Sequence, residues 1–207
     1  MNLRLLFLLI FLSFSTPFFS QTLNNQKTTS INEGHQSKAT QNTYIKILWL
    51  DKNNTIQLNE NYIKTLTNQQ RAALGYIVTF IGNECYWDGD KKTDENNLKC
   101  KLLTALNLGY QCSDTHLSFL KEWFKEDKKV LEDLQDCKKN ESSAKIRDQF
   151  IELKMATNKN TIKIIYSAIG IDMVHARKWN WTEESTYSFT KTEIKQTDRE
   201  NIEGSFQ

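Results

Sequence analysis

Two spacings of apolar residues follow one another along the chain, and they predict two kinds of element. Over residues 67–154 the apolar positions recur every three or four residues, which is the spacing of one helical face. From Ile162 onward the spacing becomes two, which is typical of strands with one buried face. Because helices and strands fall in separate runs of the chain, the pattern predicts an α+β fold rather than a parallel α/β sheet.

An N-terminal β-hairpin is predicted before the helices. Residues 44–50 are rich in β-formers, residues 51–54 carry turn-forming side chains, and residues 55–58 can return. Asp and Asn favour turns because their short side chains bond to nearby backbone amides. We therefore expect these two segments to pair as antiparallel strands.

About five helices are predicted in the centre of the chain. The first begins at Thr67, which stands three residues before Gln70 in the spacing of a capping box. Ser113 is placed to cap the third helix, and Ser142 or Ser143 to cap the fifth. The apolar stripes are Leu74, Ile77, Val78 and Ile81; Leu98, Leu102 and Leu106; Leu117, Leu120 and Phe124; Val130, Leu131 and Leu134; and Ile146, Phe150 and Leu153. Each stripe has the spacing of a helix face that packs against a core.

The C-terminal part of the chain is predicted to form antiparallel strands, because apolar and polar residues alternate there. These strands cover residues 162–167, 173–179 and 185–191, with a turn at residues 180–184. The alternation then fades, so residues 196–207 are expected to form a polar tail. Hairpin, helices and strands together predict one α+β domain over residues 44–195.

The first 20 residues have the layout of a secretory signal peptide. Arg4 gives a positive start, residues 5–12 are continuously apolar, and more polar residues precede Ser20. A membrane anchor is the alternative, but a spanning helix needs about 20 apolar residues and this run is shorter. We expect cleavage after Ser20, a secreted or periplasmic protein, and no membrane span after cleavage.

Composition and charge narrow the possible functions. Apolar residues make up 39% of the chain and charged residues 25%, which suffices for a buried core. Residues 21–43 are instead rich in Gln, Asn, Thr and Ser, and are expected to form a flexible leader. A net charge of +2 argues against a nucleic-acid partner. No dinucleotide-binding, P-loop or zinc-protease motif is present, so we expect no cofactor.

Four cysteines in a chain with an export signal predict two disulfides. If the third and fourth helices form an antiparallel hairpin, Cys112 and Cys137 meet, and Cys85 is left to pair with Cys100. The alternative is a zinc site in which Cys112 and His116 share a helix face. Because no two cysteines have C-x-x-C spacing, disulfides are favoured and we expect no metal.

An acidic loop at residues 88–97 is the other candidate for a cation site, because hard cations take several oxygen ligands. The EF-hand pattern requires an acidic or amide side chain where Lys92 stands and a glycine where Thr93 stands. The loop fails at both positions, which favours a solvated, disulfide-closed loop over a calcium site.

His116 and His175 are weak candidates for acid–base chemistry, because imidazole titrates near neutral pH. His116 stands near the start of the third helix and is expected to be partly exposed. On a strand, His175 shares a face with Arg177 and Trp179, while Asp172 faces the opposite side. This geometry opposes a direct Asp172–His175 pair.

Three tryptophans, Trp87, Trp179 and Trp181, are the candidate binding residues. Trp179 and Trp181 fall near a predicted strand end, and Trp87 borders the acidic loop. Tryptophan is enriched at binding hot spots, where its large ring excludes water. The alternative is that these rings close the core.

Three functional hypotheses follow, of which the third is a passive envelope component with Trp179 and Trp181 buried and no partner retained. The first is a small exported, disulfide-stabilised protein that binds a protein partner in the envelope or the extracellular space, with an inhibitor or immunity-type role. It rests on the near-neutral charge and on the lack of a catalytic motif. The second is a secreted hydrolase that uses His175 as general acid or base. It requires His175 in a concave pocket beside a carboxylate or a hydroxyl group.

Overall fold

The residues that the structure describes form a six-stranded antiparallel sheet with helices packed on it. This computed structural model describes residues 43–53, 55–82, 84–86, 97–137 and 146–206, which all belong to a compact unit spanning Thr40–Gln207. The predicted signal peptide, leader residues 21–42, Trp87 and loop residues 88–96 lie outside these ranges.

The sheet has the strand order β2-β1-β3-β4-β5-β6, and every neighbouring pair is antiparallel. The strands are β1 (Ile45–Leu50), β2 (Ile56–Leu58), β3 (Ile146–Asn158), β4 (Thr161–Asp172), β5 (Arg177–Phe189) and β6 (Ile194–Phe206). The mixed α+β class and the N-terminal hairpin are therefore confirmed. In the hairpin turn, Asp51 Oδ1 accepts hydrogen bonds from the amides of Asn53 and Thr55, as expected of a turn-forming aspartate.

Five helices are present in the described part of the chain, and they pack against the sheet. They are α1 (Glu60–Ile63), α2 (Asn68–Phe80), α3 (Leu98–Ala105), α4 (Asp114–Trp123) and α5 (Lys128–Gln135). The predicted caps are confirmed: Thr67 and Gln70 form a capping box, and Ser113 caps α4. The expected emphasis on helices is corrected, however, because more of the described residues lie in strands than in helices. None of the described helices is long and apolar enough to cross a membrane.

The core lies between α2 and the central strands. Residues 72–79 of α2 are all buried, and so are the alternate β4 residues Ile162, Ile164, Tyr166 and Ala168. Gly75 lets α2 approach its neighbours closely, because an added Cβ there would overlap Leu108 and crowd Leu120. We call the side of the sheet that carries these β4 residues the helix side.

Both predicted disulfides are confirmed, Cys85–Cys100 and Cys112–Cys137, with Cα–Cα distances of 5.3 and 5.8 Å. They close segments with sequence separations of 15 and 25 residues. On the chain-entropy model each contributes about 3 kcal/mol to the free energy of unfolding. All four cysteines are bonded, so Cys112 offers no thiolate to a metal.

The predicted fifth helix is wrong, because residues 146–158 form β3. Phe150 pairs with Ala168 and Glu152 with Ser167, so Ile151 is an extra residue at a β-bulge. The bulge shifts the phase of the strand, so that Phe150 and Leu153 are both buried although they are three residues apart. A bulged strand thus reproduced the spacing of a helix face.

The predicted division of the C-terminal strands is also wrong. Residues 173–176 form a turn, and β5 runs without interruption from Arg177 to Phe189, through the expected turn at 180–184. The polar residues of that segment favoured a turn in the prediction, because polar side chains are usually exposed. Glu183 and Ser185 are nevertheless buried in the strand. The partner of Glu183 is Arg199, sixteen residues further along the chain.

Residues 196–206, expected in a polar tail, lie in β6 and pair with β5. Their polarity suits an edge strand, which is open on one side and discourages further pairing when it carries charges. Ile194 anchors the strand in the core, and the amide of Gln196 donates to Asp127 Oδ2 at 2.8 Å. Tertiary contacts therefore hold a strand that has little apolar pattern of its own.

Candidate functional site

The turn between β4 and β5 holds the predicted catalytic candidate His175 in a fixed geometry. Asp172 Oδ1 accepts hydrogen bonds from the amides of Val174 (2.9 Å) and His175 (3.2 Å). Asp172 Oδ2 contacts His175 Nδ1 at 2.6 Å. The expectation that Asp172 and His175 face apart is wrong, because His175 lies in a turn rather than on a strand. The hydrogen bond from His175 lowers the pKa of the Asp172 carboxyl.

Exposed apolar side chains gather at this end of the sheet. Met173 is 60% exposed, Val174 56% and Ile169 37%. Ile202 of β6 is also exposed (54%), but it lies apart from them, beside Thr182 and Glu183 in the middle of β5. A soluble surface rarely presents several large apolar side chains together unless they bind something. Met173 and Val174 were not among the predicted site residues, because the residue pattern predicts a strand over residues 173–179.

Trp179 and Trp181 lie on the helix side of β5, opposite to Ile169. The Trp179 ring lies over Gly170 on the neighbouring strand, where an added Cβ would overlap the indole. Trp179 is half-buried, and Trp181 packs against the core. We call Ile169, Met173, Val174 and Trp179 the hairpin tip.

Basic side chains surround the hairpin tip. Arg147, Ile171 and Lys178 lie side by side across β3, β4 and β5, and Arg177 begins β5. All three basic residues are exposed, and none forms an ion pair with a described residue. The carboxylate of Asp172 is already bonded within the turn. The tip therefore combines apolar contact area with positive charge.

An inward-facing polar cluster lies deeper on the helix side, around Glu183. Glu183 is 9% exposed and is bonded by the Arg199 guanidinium through Nε and Nη2. Burial, together with a hydrogen bond to Glu183, raises the pKa of the Tyr166 hydroxyl. A buried carboxylate is costly unless paired and hydrogen-bonded, and here it is both. The cluster thus explains how a charge is accommodated inside the sheet.

His116, the second catalytic candidate, is fully buried, so the expectation of partial exposure is wrong. The Cys112 amide donates to His116 Nδ1 at 3.0 Å, which leaves the proton on Nε2. That proton is donated to Thr79 Oγ1 at 3.1 Å, and Thr79 Oγ1 donates to the Gly75 carbonyl at 2.7 Å. Burial lowers the pKa of His116 to about 4. This neutral imidazole joins α2 to the start of α4.

Lys99 is a buried cation that was not among the predicted site residues. Its Nζ donates to the Thr79 carbonyl at 3.0 Å and to Gln111 Oε1 at 3.1 Å. Gln111 Nε2 also donates to the Thr79 carbonyl, at 3.1 Å. These donors cap the C-terminal end of α2, where carbonyls lack partners and a positive charge is favourable. Burial lowers the pKa of Lys99 to about 8.

Comparison with known proteins assigns no family to this chain, so the functional proposal is argued from the geometry. No family model, no curated protein and no solved structure matches the chain. Of the predicted site residues, His175 lies in the β4–β5 turn, Trp179 and Trp181 follow on β5, and His116 lies apart from them in the core.

Proposed function

We propose that this disulfide-stabilised protein is exported and binds a protein partner through the hairpin tip. The observation that carries the proposal is the exposure of Met173 and Val174 on a turn that Asp172 holds rigid. A pre-organised turn loses little conformational entropy on binding, so more of the contact energy appears as affinity. The half-buried indole of Trp179 lies over Gly170 on β4, close to the turn along both strands.

Charge indicates what kind of protein surface the tip fits. Arg147, Arg177 and Lys178 border the apolar residues, so an acidic and apolar patch is the complementary partner surface. Such charges increase the rate of association, and the apolar centre supplies most of the affinity. Because export signals deliver proteins to the envelope or beyond, the partner is sought there.

A photo-cross-linking amino acid at Val174 tests the proposal in cells that produce the full chain. We expect one cross-linked protein that is absent when the same group is placed at exposed Lys125. The purified partner should then bind Met173→Ser/Val174→Ser at least about tenfold more weakly than the unaltered protein. Ile45→Ser is the matched control, because Ile45 is an exposed apolar residue on β1.

Three outcomes contradict the proposal. One is cross-linking at Val174 that does not exceed that at Lys125, and another is equal affinity of the tip variant and the control. The third is binding to phosphatidylglycerol vesicles that the Met173→Ser/Val174→Ser substitution abolishes, which would assign the tip to a membrane surface. The mass of the exported protein tests export itself: it should match residues 21–207, less the hydrogens lost in two disulfides.

The Asp172–His175 pair favours a second candidate function, a hydrolase with His175 as general acid or base. A carboxylate at Nδ1 orients an imidazole for proton transfer at Nε2. The ring lies on an exposed turn, however, and its side-chain hydrogen bond with the described residues is to Asp172. A panel of chromogenic esters, phosphoesters and glycosides tests this function. Turnover that His175→Gln abolishes would support it, and no turnover by the unaltered protein would contradict it.

A further inference from the structure

A groove of about 630 Å³ lies between the short edge strand β2 and helix α3, away from the hairpin tip. Ile56 and Leu58 form one wall, and Thr104 and Ala105 form the other. Leu98 and Leu48 lie at its base. The groove exists because α3 places small side chains opposite the strand, where larger ones would fill the space.

The backbone of β2 is open on the side that faces away from β1. The Asn59 amide donates to the Ile47 carbonyl (2.9 Å), and the Asp51 amide donates to the Thr55 carbonyl (2.8 Å). In this antiparallel register, hydrogen-bonded pairs alternate with non-bonded pairs. Gln57 therefore bonds to β1, whereas the N–H and C=O groups of Ile56 and Leu58 point outward. No described residue accepts or donates to these outward groups.

Charges border the same groove. Its lining includes two basic residues, Lys64 and Lys101, and one acidic residue, Glu60. Both lysines are exposed, and neither is in an ion pair with a described residue. The border is thus complementary to an acidic side chain.

We propose that this groove binds an extended, acidic and apolar segment of a protein partner, which adds as a strand to β2. Strand addition supplies main-chain hydrogen bonds, and alternate side chains of the added segment enter a neighbouring pocket. Here the outward groups of Ile56 and Leu58 supply the bonds, and the α3 wall receives the apolar side chains. Lys64 and Lys101 bind the acidic residue. The site is separate from the hairpin tip, so its test does not depend on the proposed function.

A phage-displayed library of random heptapeptides, selected on the full disulfide-bonded protein, supplies the probe. We expect enriched peptides to alternate apolar residues and to carry an acidic one. Thr104→Trp should weaken their binding at least about tenfold by filling the groove. Ser118→Trp is the matched control, because it adds the same ring at an exposed position of α4 and should leave the affinity unchanged.

A second pair of variants isolates the main-chain bonds. Ile56→Pro removes the outward N–H and Ile56→Ala keeps it, while both remove the isoleucine side chain. Because this N–H does not bond to β1, the hairpin should survive the proline. Ile56→Pro should bind the selected peptide about fivefold more weakly than Ile56→Ala, the loss of about one hydrogen bond. Hydrogen exchange at the Ile56 and Leu58 amides of the unaltered protein should slow when the peptide binds.

Three results would overturn the proposal. One is a selection that enriches no peptide over the Thr104→Trp protein. Another is equal affinity of Ile56→Pro and Ile56→Ala, with unchanged exchange at Leu58. The third is concentration-dependent dimerisation that Thr104→Trp abolishes and Ser118→Trp does not, because the occupant would then be a second copy of this chain.

Discussion

At the scale of single residues, the buried imidazole of His116 links stability to pH. Its pKa is about 4 in the folded protein, below the ordinary value of 6.5, because burial disfavours the charged ring. Between these values the unfolded chain binds a proton that the folded chain does not. Stability therefore falls as the pH decreases from 6.5 toward 4, by about 3 kcal/mol in total from this group.

Urea unfolding at pH 7 and pH 4.5 measures this effect. His116→Gln retains an acceptor for the Cys112 amide and a donor for Thr79 but cannot titrate, so its stability should fall less on acidification. Ser118→Gln is the control, because it adds the same side chain at an exposed position of α4 that carries no titrating group. Equal acid responses of His116→Gln and the unaltered protein would contradict the linkage.

Gly170 is required by the ring that lies over it. A Cβ at this position would overlap the Trp179 indole, so Gly170→Ala should displace the ring and lower the free energy of unfolding by about 1–3 kcal/mol. Gly204→Ala is the matched control on the neighbouring edge strand, where the nearest atom, the Asn180 carbonyl oxygen, is 3.6 Å from the added Cβ. Indole fluorescence and denaturant unfolding report both effects. Equal stability of the two variants would show that Trp179 does not need the glycine.

At the scale of elements, Asp127 joins helix α5 to strand β6. Its Oδ1 accepts from the Val130 amide at the start of α5 (3.2 Å), and its Oδ2 accepts from the Gln196 amide of β6 (2.8 Å). One carboxylate thus accepts a hydrogen bond from an amide in the first turn of α5 and another from an amide near the start of β6. This link explains how a polar segment is held in the sheet.

Asp127→Ala removes both bonds and should cost about 1–2 kcal/mol of stability. Hydrogen exchange should accelerate at Gln196 more than at the central strand β4, because β6 has one neighbouring strand and loses an anchor. Glu126→Ala changes the adjacent exposed carboxylate and serves as the control. Similar exchange at Gln196 in both variants would mean that pairing with β5 alone holds β6.

At the scale of the whole molecule, the exposed turn and the core-facing residues of the β4–β5 hairpin are expected to serve binding and stability respectively. Trp181 packs against the core, so Trp181→Ala should destabilise the protein by about 3 kcal/mol. Met173→Ser and Val174→Ser change exposed residues and should alter the free energy of unfolding by less than about 0.5 kcal/mol. Thermal unfolding, measured beside partner affinity, distinguishes the two classes. A large loss of stability in the tip variants would show that the tip serves the fold.

Much of the helical and covalent framework could be predicted from the sequence. The capping box at Thr67, the Ser113 cap and the hairpin turn at Asp51 depend on side chains bonding to amides a few residues away. The disulfide pairing followed from the spacing of the cysteines along two helices. The caps and the turn are local, so residue order alone specifies their geometry, whereas the disulfide pairing also required two neighbouring helices to pack antiparallel.

The candidate site could be predicted only in part. His175 and Trp179 were identified by residue type, but their surroundings were not. The bond between Asp172 and His175 depends on where β4 ends, and strand ends are set by pairing with other strands. Met173 and Val174 became candidates only when the structure placed them on a turn.

The sequence by itself determined the α+β class, the helix starts at Thr67 and Ser113 and the N-terminal hairpin, because each follows from residue spacing or from contacts close along the chain. The disulfides, with sequence separations of 15 and 25, could be predicted because four cysteines allow three pairings and the order of the helices favours one. Only the tertiary structure decided that residues 146–206 form four long strands, that Ile151 is a bulge residue and that Glu183 faces inward. Strand pairing and buried charge depend on partners distant in sequence, such as Arg199 for Glu183. The same reason applies to His116, which is buried because α2 lies against α4, a contact that no local pattern specifies.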